Sequence, residues 1–147
     1  MRIAALVSLP LLFATACGGP KESEKTGDET KSAAVEIPTG TTVDDKITAG
    51  EDPVDWKRFE VETRSPARIG IWWDNPDVAA EVTVRDMFGG AVGRAVHAKG
   101  APRDEITADL RDGTYFIEVV AKNGKSVYTI EVMLGDQPGS SGVPRPE

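Results

Sequence analysis

The side chains most used as nucleophile and general base, cysteine and histidine, are scarce in this sequence. There is one cysteine, Cys17, and one histidine, His97. A thiol or hydroxyl nucleophile needs a base within reach, and His97 is the lone imidazole for that role. It falls in a stretch of strand-like alternation with no partner pattern beside it, and is expected to be an ordinary strand residue. Zinc sites need several His or Cys ligands, which are missing. Carboxylates crowd at Asp44-Asp45, at Glu51-Asp52 with Asp55, and at Asp74 with Asp77. Calcium takes oxygens that converge from loops. No Asp-x-Asp-x-Asp-Gly loop is present, so these acids are expected to be solvated loop charges, and no metal or cofactor is expected. Two carboxylates can hydrolyse a glycoside, but no pair is singled out. No catalytic residue is expected, and the chain is not expected to be an enzyme. The adjacent pair Trp72-Trp73 is the remaining feature. Successive strand residues face opposite sides. One indole should therefore enter the core while the other faces outward, placed to stack on a sugar ring or anchor a protein. Both are candidate partner contacts.

Cys17 has its own chemistry, set by what precedes it. Met1-Arg2 is a short positive start, Ile3 to Ala14 is an apolar run broken by Ser8 and Pro10, and Thr15-Ala16 are small. This is the order of a secretory signal, and the run is too short to span a bilayer. Leu11-Leu12-Phe13-Ala14-Thr15-Ala16-Cys17 resembles the lipobox of bacterial lipoproteins. There a peptidase cuts before a cysteine whose thiol then carries diacylglycerol. Ala16 and Thr15 fit that pattern, and Ala14 stands where leucine is usual. The resemblance implies a signal peptide over 1–16, lipid attachment at Cys17 and a bilayer as partner. Gly18 follows the cysteine where inner-membrane lipoproteins often carry aspartate, so the outer membrane is expected over the inner. A cysteine unique in an exported chain has no internal disulfide partner, which agrees with acylation.

The formal net charge is −7, and loss of Arg2 with the signal takes it to −8. Phosphates repel such a chain, so no nucleic-acid partner is expected. From Gly18 to Gly40 the sequence is rich in Gly, Lys, Glu, Ser and Thr, too polar to offset its ordering entropy. Residues 17–40 are expected to be a lipidated, disordered tether. The Pro/Gly/Ser-rich residues 136–147 are expected to be a disordered tail.

Residues 41–135 change character. Short runs of β-branched and aromatic residues alternate with turn clusters, the pattern of an all-β sandwich or barrel. Strands are expected at Thr41–Thr48, Trp56–Thr63, Arg68–Trp73, Glu81–Arg85, Ala91–Ala98, Glu105–Leu110, Thr114–Val120 and Ser126–Leu134. Period-two alternation implies antiparallel sheets with one face buried. Asn123-Gly124 is a hairpin signal.

Four segments in order resemble the bacterial pre-peptidase C-terminal (PPC) domain. They are Asp55-Trp56-Lys57-Arg58-Phe59, Val82-Thr83-Val84-Arg85-Asp86 with Gly89-Gly90, Asp112-Gly113-Thr114-Tyr115-Phe116-Ile117-Glu118-Val119, and Tyr128-Thr129-Ile130-Glu131-Val132. Lys57 departs from the family's aromatic and Glu81 from a common aspartate. The resemblance implies an antiparallel jelly-roll-like β-sandwich that accompanies chemistry without performing it. Some relatives bind collagen, polysaccharide or calcium. The combined expectation is an envelope lipoprotein presenting a non-catalytic β-sandwich to a protein or polysaccharide partner. The alternatives are a subunit of an envelope secretion or motility complex and, third, a cell-wall-acting enzyme. Removing the thiol tests the first step: Cys17→Ala should leave the product soluble or unprocessed, measured by membrane fractionation and intact mass.

Overall fold

The structure is a computed structural model that describes residues 27–135. The expected signal over 1–16, Cys17 and the tail over 136–147 lie outside the described residues. The strands are β1 Val35–Glu36, β2 Thr42–Thr48, β3 Val54–Val61, β4 Ser65–Trp73, β5 Ala79–Arg85, β6 Ala91–Val96, β7 Arg103–Leu110, β8 Gly113–Asn123 and β9 Lys125–Leu134. Each of the eight strands read from alternation is present, with ends shifted by a few residues.

The strands form two packed sheets, ordered β1-β3-β8-β5-β6 and β2-β9-β4-β7. Leaving out β1, the chain alternates between layers in the order of a double-sheet jelly roll. The protein is therefore an all-β, jelly-roll-type sandwich. The facing sides share one core. Ile69, Ile71, Ile117, Val119, Ile130 and Val132 are fully buried and sit at alternate positions of β4, β8 and β9. Phe59 of β3 stacks on Tyr115 of β8 with ring centroids 5.7 Å apart. The Tyr115 hydroxyl reaches the sandwich edge, where it accepts a hydrogen bond from the Arg111 amide at 3.2 Å.

Two expectations are corrected. Asn123-Gly124 does not make a hairpin. β8 is already paired on one side with β3 and on the other with β5, so neither edge is open to β9. The chain instead turns through Gly124, at φ +78°, and β9 joins the other sheet. A side chain resists that backbone angle, so a glycine suits the arch as well as it would a hairpin. Among the described strands, β5 and β6 are the consecutive pair that hydrogen-bond to each other.

The expected disorder over 17–40 does not hold for its described part, 27–40, and residues 18–26 lie outside the described residues. Lys31–Ala33 makes a short 3-10 turn, and β1 lies parallel to β3 with Val35 opposite Lys57 and Glu36 opposite Arg58. Ile37 is buried, and its amide donates to the Arg58 carbonyl at 2.9 Å. The polar composition hides this because the docking is mostly polar, through Asp28, Lys31 and Glu36, with Ile37 as the buried apolar side chain of the described segment.

Candidate functional site

Asp55, Lys57, Phe59 and Val61 occupy alternate positions of β3, so a strand whose far half faces the core carries its two charges inward as well. Lys57 is 1% exposed. Its ammonium donates to the carboxylates of Asp28, from the segment before β1, and Asp45, from β2. Asp28 is itself fully buried. Burial works against the Lys57 ammonium, but hydrogen bonds to Asp28 and Asp45 outweigh it and hold its pKa above the ordinary lysine value. Asp55 lies beside this pair, accepting a 2.7 Å bond from the Tyr128 hydroxyl of β9. Burial pushes the Asp55 carboxyl up to about 7; the Tyr128 bond lowers it and the Asp28 charge raises it further. Burial, then the Asp55 charge, pushes the Tyr128 phenol well above the tyrosine range.

Carboxylate oxygens of Asp28, Asp45 and Asp55 lie within 4.8 Å of one another, a spacing that could hold a metal ion. The Lys57 ammonium already stands between two of them. A second cation would have to displace it, so the cluster does not fit a divalent ion. Asp55, expected as a solvated loop charge, is instead a buried strand residue, and Asp52 is also buried. Asp44, Glu51, Asp74 and Asp77 do face solvent.

His97 is buried just beyond β6. Its Nδ1 is 2.7 Å from Asp104 Oδ2, and its Nε2 is 3.0 Å from the Pro76 carbonyl, to which it must donate. Trp73 Nε1 donates to the same Asp104 oxygen at 2.7 Å. The Trp73 and His97 rings lie 5.1 Å apart, tilted by 47°. Both imidazole nitrogens are thus engaged in tying β4, β7 and the β4–β5 connection together. Neither is presented to a substrate.

The tryptophan pair divides between the two sides of β4. Trp73 is 3% exposed and belongs to the core, which removes it as a surface contact. Trp72 lies half-buried on the outer face of the four-stranded sheet. Its indole reclines over Gly70: a Cβ at that position would come within 2.7 Å of the ring. The Arg103 guanidinium covers the ring at 5.0 Å from the centroid, a cation–π contact. Arg68, Glu131 and Met133 complete the rim of a depression of about 70 Å³. That is far below the several hundred Å³ of a small-molecule pocket, so the feature is a platform.

Comparison with solved structures places the fold. The PPC domain of a collagenase from Bacillus anthracis superimposes with a TM-score of 0.58 and 19% identity, over 67% of this chain and 93% of that one. A surface-associated copper-binding protein of Methylomicrobium album BG8, CorA, follows with a TM-score of 0.51 and 11% identity, over 69% and 97%. No family model and no curated protein matches the sequence. The likeness establishes a PPC-like fold.

Two measurements probe the buried cluster. Lys57→Met keeps the stem but strands Asp28 and Asp45, and should cost about 3–5 kcal/mol in urea unfolding at neutral pH. Asp55 binds a proton more tightly when folded. Its contribution to stability is therefore complete below about pH 4 and lost as pH rises through about 7. Asp55→Asn retains the acceptor for Tyr128 and cannot ionise. It should gain about 3 kcal/mol on the wild type at pH 8 relative to pH 4, read from melts across that window.

Proposed function

We propose that this is a lipid-anchored protein of the bacterial envelope whose β-sandwich binds a protein or glycan partner through the Trp72 face. The lipobox-like stretch ending at Cys17 supports the anchor and the export, and Gly18 favours the outer membrane. The Trp72 platform carries the binding reading. An indole laid flat on a sheet, with room left for it by Gly70, offers a rigid aromatic surface with little conformational entropy to lose once the exposed Arg103 side chain over it moves aside. Arg68 and Arg103 flank it, Arg103 paired with Glu105, and their exposed charged groups keep donors and an acceptor that can hydrogen-bond sugar hydroxyls or a peptide backbone.

A non-catalytic role agrees with the site chemistry. His97 has both nitrogens occupied, and the acids gathered by the fold are closed off around Lys57. Elsewhere, Glu36, Glu60 and Glu62 line a groove beside β1. Glu36 is paired with Arg58 at 2.8 Å, and Glu60 accepts from Thr114 at 2.7 Å. A subunit role in a larger envelope complex would use the same face, and partner identity distinguishes it.

Trp72→Ala should weaken partner binding by about 2 kcal/mol, roughly thirtyfold in Kd, as expected of an aromatic hot spot. Crosslinking capture from envelope membranes and retention on immobilised polysaccharide would read this against the wild type. Because the ring sits outside the core, the variant should melt within a few degrees of the wild type. Equal capture by both forms would overturn the assignment.

A further inference from the structure

The turn between β5 and β6 runs Asp86-Met87-Phe88-Gly89-Gly90 and carries Phe88, the most exposed large apolar side chain of the described residues, with Met87 beside it. Phe88 is 89% exposed and Met87 58%. Val92, the second residue of β6, is also exposed beside the turn. A loose loop could display such groups by accident, but this one is tightly built. Asp86 Oδ1 accepts from the Phe88 amide at 2.9 Å and from the Gly90 amide at 2.8 Å. The Asp86 amide donates to the Gly90 carbonyl at 2.8 Å, and the Gly89 amide returns to the Asp86 carbonyl at 3.0 Å. Arg85 donates to the Gly89 carbonyl at 3.1 Å. The turn's one carboxylate is thus committed to its own backbone, and its tip is two apolar side chains held outward.

The N-terminal segment reaches the same place. Lys31 donates to the Met87 carbonyl at 2.6 Å, and its ammonium lies 4.5 Å from the centroid of the Phe116 ring on the outer face of the five-stranded sheet. Three residues earlier, Asp28 is held by Lys57. Cys17 precedes Asp28 by 11 residues, a length of chain that reaches at most about 40 Å. That is close to the diameter of a domain this size. A lipid at Cys17 would keep the sandwich within about its own diameter of the bilayer, close enough for the Met87-Phe88 tip to reach the lipid.

We propose that the β5–β6 turn is a membrane-contacting element, its Met87-Phe88 tip entering the lipid interface beside the anchor. The proposal rests on the anchor reading above. Aromatic side chains favour the headgroup boundary, and a preformed apolar tip loses little order on entering it. A single turn supplies too little apolar area to hold a protein to a membrane alone, so its effect is to orient a chain already tethered. The Trp72 face, on the outer side of the opposite sheet, is then presented away from the bilayer.

The test uses the full processed protein in phosphatidylethanolamine–phosphatidylglycerol vesicles with brominated acyl chains. Phe88→Trp places a reporter at the tip. Val127→Trp places one on the exposed outer face of the other sheet. Each signal is read as the difference from the wild type, which has three tryptophans of its own. The expected result is a blue shift and loss of roughly half the emission for Trp at 88, as for a ring at the lipid boundary, with no quenching at 127. Protein that floats with the vesicles while both positions stay unquenched, or are quenched alike, overturns the membrane-contact proposal and leaves the anchor intact. Protein that does not float overturns the anchor reading and this proposal with it.

Discussion

The structure depends on one buried cation. Lys57 points into a sandwich that could have been wholly apolar, and it is neutralised by two carboxylates from different parts of the chain. Such an arrangement adds little net stability over a hydrophobic replacement, because desolvating three charges costs about what their attraction returns. What it adds is specificity. The ammonium is satisfied when Asp28 closes over the β3 edge and β2 brings Asp45 alongside. A register slip in β2, or an undocked N-terminal segment, would leave a charge buried without its partner. Asp55 and Tyr128 extend the same network to β9, so a single cluster ties the N-terminal segment, both sheets and a central strand together.

A second polar cluster does similar work at a different place. Asp104 gathers Trp73 and His97, joining β4 to β7 and to the loop that follows β6. The sandwich thus has an apolar middle with hydrogen-bonded pins, and the chain's one histidine is a structural group. This disposition leaves the outer sheet faces as the surfaces where recognition can occur. They differ: one carries the Lys31 ammonium over Phe116, and the other bears an indole laid over a glycine and covered by Arg103.

Much of the framework was legible. Alternation in Ile69-Gly70-Ile71 and Tyr115-Phe116-Ile117-Glu118-Val119 reports half-buried strands without ambiguity, and the order of the motifs resembled the right fold. The pairing of β8 and β9 was not legible. Asn-Gly specifies a tight turn, but whether two strands then pair depends on edges filled by residues far away in sequence. The Lys57 cluster was partly legible. Asp55 and Lys57 share the alternation of Phe59 and Val61, which marks them as inward. Lys57 stood out only as a departure from a resembling family. Asp28 gave no local sign, because a carboxylate in a Gly/Lys/Glu-rich stretch looks like solvated chain. Gly70, two residues before Trp72 and on the same face, was the available hint that the indole would lie flat.

The buried cation also bears on how far the proposed tether lets the sandwich travel. Were residues 28–40 undocked, the free chain from Cys17 would run 23 residues to Gly40 and could reach about 80 Å. With Asp28 held by Lys57 and β1 paired to β3, the reach halves. Docking also moves the point of departure from the β2 edge of one sheet to the β3 edge of the other, the sheet that carries the β5–β6 turn. A charge pair that contributes little to stability would in this way shorten the tether and set the sheet edge from which it leaves. Sequence changes that keep the fold but lose Asp28 would lengthen the tether and free the Trp72 face from any fixed direction.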